Sequence, residues 1–301
     1  MITISRKNLP LIFEQNPLIG PPLDLEYKSF VFNGGEVSVK LNDSYGFFDP
    51  DLGSDIDITA RISNSEDFMK LAMLKDAIER RLEAPADFNL FLPYVSYGRQ
   101  DRPMVKGESF SLKVFANMVN ALGFNKVVTL DPHSDVTPAL IDNVKVISQS
   151  DIIHKWMDFT MRLGSTMLVS PDSGANKKTA KIAGYLNHWE FARADKLRDL
   201  STGQILETVV YKEDFNKQDV AIIDDICDGG KTFTELAQVL KKKNCGKVIL
   251  YVTHGIFSKG LEVLFKEGID EIWTTDSFVN KFWEDPRIKV FKIDNLKVFS
   301  N

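Results

Sequence analysis

One stretch constrains this chain more than any other: Val220-Ala221-Ile222-Ile223-Asp224-Asp225-Ile226-Cys227-Asp228-Gly229-Gly230-Lys231-Thr232. Its apolar, β-branched opening reads as a buried parallel strand. Two adjacent carboxylates stand at the strand's carboxyl end, and a turn of Asp, Gly and Gly follows. Thr232-Phe233-Thr234-Glu235 then has the form of a capping box, so the spacing predicts a helix from about Thr232, with Phe233, Leu236, Val239 and Leu240 as its apolar face. Such a turn aims backbone N–H groups and a partial positive charge at whatever lies above it, which suits phosphate. Asp224 and Asp225 are suited to accept hydrogen bonds from vicinal sugar hydroxyls. A ribose carrying a 5-phosphate satisfies both halves. The competing reading is a solvated strand end with a common Asp-Gly turn. A Walker A loop is excluded, because the position five before Gly230 is Asp225, not glycine.

The rest of the chain carries a likeness. The Asp224–Thr232 segment resembles the ribose-phosphate loop of ribose-phosphate pyrophosphokinases and their phosphoribosyltransferase relatives. Tyr97-Gly98-Arg99-Gln100-Asp101-Arg102 resembles the pyrophosphokinases' ATP-binding segment. Asp131-Pro132-His133-Ser134-Asp135 resembles their metal-binding histidine segment, and Ser170-Pro171-Asp172-Ser173-Gly174 their pyrophosphate-side loop. Asp195-Lys196-Leu197-Arg198 looks like the start of their catalytic flap, and Thr253-His254-Gly255-Ile256-Phe257-Ser258 like a further family marker. These segments stand in the family's order from about Phe32 to Asp276.

The resemblance implies an α/β fold of two phosphoribosyltransferase-like lobes, each a mostly parallel sheet flanked by helices. The expected division is an ATP-side domain over 1–147, a domain with the ribose-phosphate loop and flap over 148–280, and a return segment over 281–301. It implies transfer of the pyrophosphoryl group of ATP to the anomeric hydroxyl of ribose 5-phosphate, with AMP leaving. Lys196 and Arg198 are then the catalytic cations. Phe32, Glu36, Arg99, Gln100 and Asp101 belong to ATP, and Asp224, Asp225, Asp228, Gly229, Gly230, Lys231 and Thr232 to the ribose phosphate. His133 and Asp172 contact Mg2+, although magnesium chemistry alone favours Asp131 at that strand end. A homo-oligomer is implied as well, because Phe32-Asn33-Gly34-Gly35-Glu36 resembles the segment that reaches a neighbouring subunit's adenine.

The residues also depart from the family pattern. Asp or Asn is common there where this chain has Gly34. No arginine lies between Lys40 and Arg61, so the family's allosteric phosphate segment does not carry over. The family's Thr-Gly-Gly-Thr turn is here Gly229-Gly230-Lys231-Thr232, which loses a hydroxyl and gains a cation. That change, with a flap reading Lys-Leu-Arg-Asp-Leu-Ser-Thr-Gly, resembles phage-type members acting on ADP-ribose, which remains the alternative acceptor. A phosphoribosyltransferase would not need the Arg99-Gln100 segment. A silent regulatory subunit would be expected to lose Lys196, Arg198, His133 or Asp172, and all are present.

Physical patterning agrees with this frame. The 301 residues suit two domains, and 44% hydrophobic with 26% charged residues is a globular balance. A net charge of −5 gives no basic field for nucleic acid. Two cysteines argue against a disulfide framework, and no run is long and apolar enough for a membrane span, so a cytoplasmic enzyme is expected. Cys227 reads as a small apolar filler. Lys196 and Arg198 stand two apart, so an extended segment points both to one side.

Residues 1–30 show no regular period, with Gly20-Pro21-Pro22 as a breaker. Strands are expected within Phe30–Leu41 and over Asn89–Tyr94, Lys126–Leu130, Thr166–Ser170, Glu190–Ala194 and Lys247–Val252. Helices are expected over Ser65–Arg81, Ser111–Leu122, Asp151–Leu163, Ala175–Leu186 and Lys259–Phe265. Asn42–Asp55 reads as a loop, and Leu206–Tyr211 as the flap's far side.

Overall fold

The computed structural model describes residues 1–6, 26–42, 55–82, 85–187, 190–198, 205–278, 283–296 and 298–299. It divides into two compact units: Met1–Val146 with Val298–Asn301, and Ile147–Lys297.

The first unit holds β1 (Ile2–Arg6), β2 (Tyr27–Val31), β3 (Val37–Leu41), β4 (Asp55–Ala60), α1 (Ser65–Glu79), β5 (Asp87–Phe91), α2 (Ser111–Ala121), β6 (Lys126–Leu130), α3 (Val136–Leu140) and β7 (Val144–Ile147). Its main sheet runs β1-β4-β5-β6-β7, and β4, β5 and β6 are parallel. The chain start is a strand and not irregular: β1 lies antiparallel on β4, with Ile2 and Ile4 buried. Five residues were too short a stretch for their alternation to stand out. Asn64 caps α1 through Asp67 N at 2.9 Å. Phe68, Leu71, Leu74 and Ile78 of α1 join Leu112, Phe115 and Val119 of α2 and the strand residues in one core, with Phe68 and Phe115 edge to face at 5.7 Å. The expected loop over Asn42–Asp55 lies mostly outside the described residues.

The second unit holds α4 (Gln149–Lys155), α5 (Met157–Leu163), β8 (Met167–Ser170), α6 (Asn176–Tyr185), β9 (Ala192–Arg198), β10 (Ile205–Val210), β11 (Val220–Cys227), α7 (Lys231–Lys242), β12 (Val248–Gly255), α8 (Glu262–Lys266), β13 (Glu271–Thr275) and β14 (Ile288–Phe291). The sheet order is β10-β9-β8-β11-β12-β13-β14, parallel throughout except that β10 turns back on β9.

The continuous apolar run of β11 divides by its period of two. Val220 and Ile222 pack with Phe233, Leu236, Ala237 and Leu240 of α7, whereas Ala221 and Ile223 pack with Phe159, Leu163 and Ile182 of α5 and α6. Helices thus cover both faces, which is why the strand reads as a solid hydrophobic stretch.

Two expected helices are corrected, and a third starts within a residue of the expected place but without its expected cap. Asp151–Leu163 is not one helix. The chain breaks at Trp156, whose ring lies 5.0 Å from Trp273 and 5.3 Å from Phe291, so a tertiary aromatic contact overrides the local period. Helix α7 begins at Lys231, and the Thr232–Glu235 capping box does not form; the N-cap is Gly230 at φ 79°, without a side-chain cap bond. Helix α8 begins at Glu262, because a tight turn at Phe257–Gly260 comes first.

Candidate active site

The chain leaves β8 through α6 towards β9, and leaves β11 through α7 towards β12, on the opposite side. The carboxyl ends of β8 and β11 are therefore a topological switch point, where an open α/β sheet forms its ligand crevice. The loop Ser170–Gly174 and the segment Asp224–Lys231 stand at these two ends.

Asp224 is partly exposed and Asp225 is buried. The Asp225 amide donates to Asp224 Oδ1 at 2.9 Å, and Lys178 Nζ of α6 lies 3.6 Å from Asp225 Oδ2. Withdrawal from water pushes the Asp224 carboxyl well above the usual carboxylate range, and the charges of Asp225 and Asp172 add to this. Asp172 Oδ1 accepts the Ala175 amide at 3.1 Å, which fixes the loop at the start of α6.

Gln149, buried on α4, donates to the Asp224 carbonyl at 2.6 Å and to Thr253 Oγ1 at 3.2 Å. Lys178 and Gln149 are site residues that the sequence did not single out. Lys178 belonged to an unremarkable basic helix face, and Gln149 lies far along the chain from the strand it secures.

The turn itself is held from outside. The Ile256 and Phe257 amides donate to the Cys227 carbonyl at 2.9 and 3.1 Å, and the Ser258 amide to the Asp228 carbonyl at 3.2 Å. Cys227 is fully buried, and burial pushes its thiol far up, as a filler requires. Gly230 needs to be glycine: φ is 79°, and an added Cβ would lie 2.6 Å from Leu264 Cδ2. At Gly229 a Cβ would instead meet the aliphatic stem of Lys259, 3.5 Å from Cε. The Lys231 side chain is 77% exposed and turns to Glu235 Oε1 at 3.6 Å. Thr232 is half-buried in the first turn of α7.

Strands β9 and β10 form the flap hairpin, with Lys196 opposite Thr208 and Arg198 opposite Ile205. The backbone is extended through Lys196 and Arg198; their side chains lie outside the described residues. At its base Tyr211 OH donates to Asp195 Oδ2 at 3.0 Å.

In the first unit, parallel β5 and β6 bring the other two loops together. A Cβ on Gly98 would lie 3.6 Å from His133 Cβ. Tyr97 takes φ 63°, its ring 5.7 Å from that of Phe115, and the Gln100 amide closes the turn onto Tyr97 O at 2.9 Å. Arg99, Gln100 and His133 are exposed, and Asp131 is buried at φ 33°. His133, not Asp131, is thus the accessible group at this strand end. The Arg102 guanidinium, 2.8 Å from Asp101, holds that carboxyl down to about 2. Phe32 and Glu36 face each other across the β2–β3 turn, the Phe32 amide donating to Glu36 O at 2.8 Å; Phe30, Val31 and Phe32 are all about half exposed.

Among the described residues no group of three or more His, Cys, Asp and Glu could hold a metal ion, and no helix is long and apolar enough to cross a membrane.

No protein-family profile matches the chain. Curated relatives do, among them several named ribose-phosphate pyrophosphokinase. That of Mycoplasmopsis pulmonis is 29% identical over 276 residues, 89% of this chain and 81% of the relative. That of Buchnera aphidicola is 29% identical over 257 residues, covering 82% and 76%, and that of Aquifex aeolicus 26% over 250 residues, covering 82% and 77%. The phosphoribosylpyrophosphate synthetase of Mycobacterium smegmatis superposes with a TM-score of 0.76 over 91% of this chain and 88% of its own, at 21% identity, a likeness of fold. Along more than four-fifths of its length this chain is similar in sequence to ribose-phosphate pyrophosphokinases.

Proposed function

We propose that the protein transfers the pyrophosphoryl group of ATP to the anomeric 1-hydroxyl of ribose 5-phosphate. The observation that carries this reading is the Asp224–Asp225 pair at the end of β11, directly ahead of the Gly229–Gly230 turn into α7, at the switch point of a parallel sheet. Carboxylates there accept from the sugar's hydroxyls. The amides around Gly229, Gly230, Lys231 and Thr232, at a helix start, take the 5-phosphate, and Asp228 borders the same turn.

In the reaction the 1-hydroxyl oxygen attacks the β-phosphorus of ATP. The bond from that phosphorus to the oxygen bridging it to the α-phosphorus breaks, AMP leaves with that oxygen, and the hydroxyl proton passes to solvent. Phosphoryl transfer of this kind depends on positioning and charge neutralisation. Lys196 and Arg198, two apart on an extended strand, supply cations to the transferring group. Arg99 and Gln100, exposed at the end of β5, take the nucleotide with Asp101, which stays ionised at any working pH.

Mg2+ fits the donors present. Exposed His133 in the first unit and half-buried Asp172 in the second are each suited to a single contact with an ion that keeps its waters and comes with ATP. When bound, it would neutralise phosphate charge. The exposed Phe30–Phe32 hairpin suits an adenine contact in a neighbouring copy, hence a homo-oligomer. Two free cysteines suit a reducing compartment, the cytoplasm.

A second reading, the same transfer onto ADP-ribose, rests on the turn's sequence, where Gly229 stands in place of a threonine and removes its bulk and hydroxyl. Mass spectrometry of products after incubation with ATP, Mg2+ and either sugar decides. AMP and 5-phosphoribosyl 1-diphosphate from ribose 5-phosphate support the first reading. Product from ADP-ribose alone replaces it with the second, and none from either refutes both.

A further inference from the structure

The cation that the ribose-phosphate turn offers is not the one inside its sequence. Lys231 stands in the turn, but its ammonium is directed to Glu235 one helical turn on, and its side chain is largely in solvent. Lys259 comes from the segment after β12, and its Cγ, Cδ and Cε lie 3.5–4.0 Å from where a Gly229 side chain would begin. The ammonium is one bond further. Among the described residues it has no ion-pair or hydrogen-bond partner.

Lys259 is exposed, but the backbone that carries it is held. The Ile256, Phe257 and Ser258 amides bond to the carbonyls of Cys227 and Asp228, so this segment and the turn form one unit. The Gly260 amide donates to Phe257 O at 2.9 Å, closing a tight turn with Lys259 inside it. Phe257 is buried in that turn at φ 49°, an unusual conformation for an aromatic residue, and its ring occupies the space that a side chain at Gly255 would need. An unpartnered ammonium on a stem that reaches Gly229, next to the start of a helix, favours a dianionic group.

We infer that Lys259 holds the phosphate esterified at the acceptor's 5-position, a group shared by ribose 5-phosphate and ADP-ribose, and that the lack of a side chain at Gly229 makes room for it. This rests on the acceptor site proposed above.

The test is calorimetric titration of the full chain and of Lys259→Met and Lys259→Arg with ribose 5-phosphate, ADP-ribose and ATP, alongside steady-state kinetics. Lys259→Met keeps the stem and removes the charge. It is expected to weaken ribose 5-phosphate binding about tenfold or more, the range of one charge-assisted hydrogen bond. ATP affinity should stay near the unaltered chain's, and Lys259→Arg should recover most of the loss.

Unchanged ribose 5-phosphate affinity in Lys259→Met, a parallel loss of ATP affinity, or a loss confined to ADP-ribose would overturn the inference. So would failure of the unaltered chain to bind either phosphorylated sugar. If it binds ribose 5-phosphate but forms no AMP, the proposed reaction fails while the role of Lys259 is still decided by the titrations.

Discussion

Gln149 donates its side-chain amide to the backbone carbonyl of Asp224 at 2.6 Å and to Thr253 Oγ1 on the neighbouring strand at 3.2 Å. It thereby fixes the backbone from which both site carboxylates project. Gln149→Leu removes both bonds from this buried strand end, which costs about 1–3 kcal/mol. Urea unfolding should show that loss, together with a raised KM for the acceptor and little change in KM for ATP. Unaltered stability would mean that the amide does not secure this strand end.

Asp224 shows a conflict between stability and function. Its carboxyl is pushed up mainly by withdrawal from water, and so holds a proton more tightly folded than unfolded. Such a group costs stability once pH exceeds both values, and the cost fades as pH falls through the folded value towards the unfolded one near ~3.9. Asp224→Asn should therefore raise Tm at pH 8 in metal-free buffer, by an amount that shrinks on acidification, while weakening acceptor binding. A lower Tm at pH 8 would contradict the assigned environment.

The two glycines of the turn should respond differently. Gly230→Ala combines a left-handed backbone with a contact of 2.6 Å to Leu264, a destabilisation on the order of 1–3 kcal/mol. Gly229→Ala meets only a flexible lysine stem at ordinary contact distance and should shift stability by less than about 0.5 kcal/mol. Thermal unfolding of the pair checks the contrast.

The flap's role is a matter of rate. Lys196→Ala should lower turnover by ~10²–10³ with Tm essentially unchanged, as expected for loss of one preorganised charge from the transition state. Near-normal turnover would remove Lys196 from the chemistry.

What the sequence showed depended on distance along the chain. The strand, acidic pair and glycine turn of Val220–Thr232 are local, and the structure places them as one unit. The start of α7 is legible to within a residue, but its capping box does not form, because Gly230 ends the turn through a positive φ that the capping pattern does not encode. The break at Trp156 depends on Trp273 and Phe291, which no local period reports. Gln149, Lys178 and Lys259 had no signature at all, because each matters only through a neighbour that folding brings to it.

The most direct test of the account is the stoichiometry of the nucleotide product. ATP, Mg2+ and ribose 5-phosphate are incubated with the protein, quenched, and followed by 31P NMR. The account predicts AMP and a 1-diphosphorylated ribose 5-phosphate in equal amounts, absent without the sugar. ADP with a singly phosphorylated sugar would contradict it, because the β-phosphorus would then have stayed with the nucleotide.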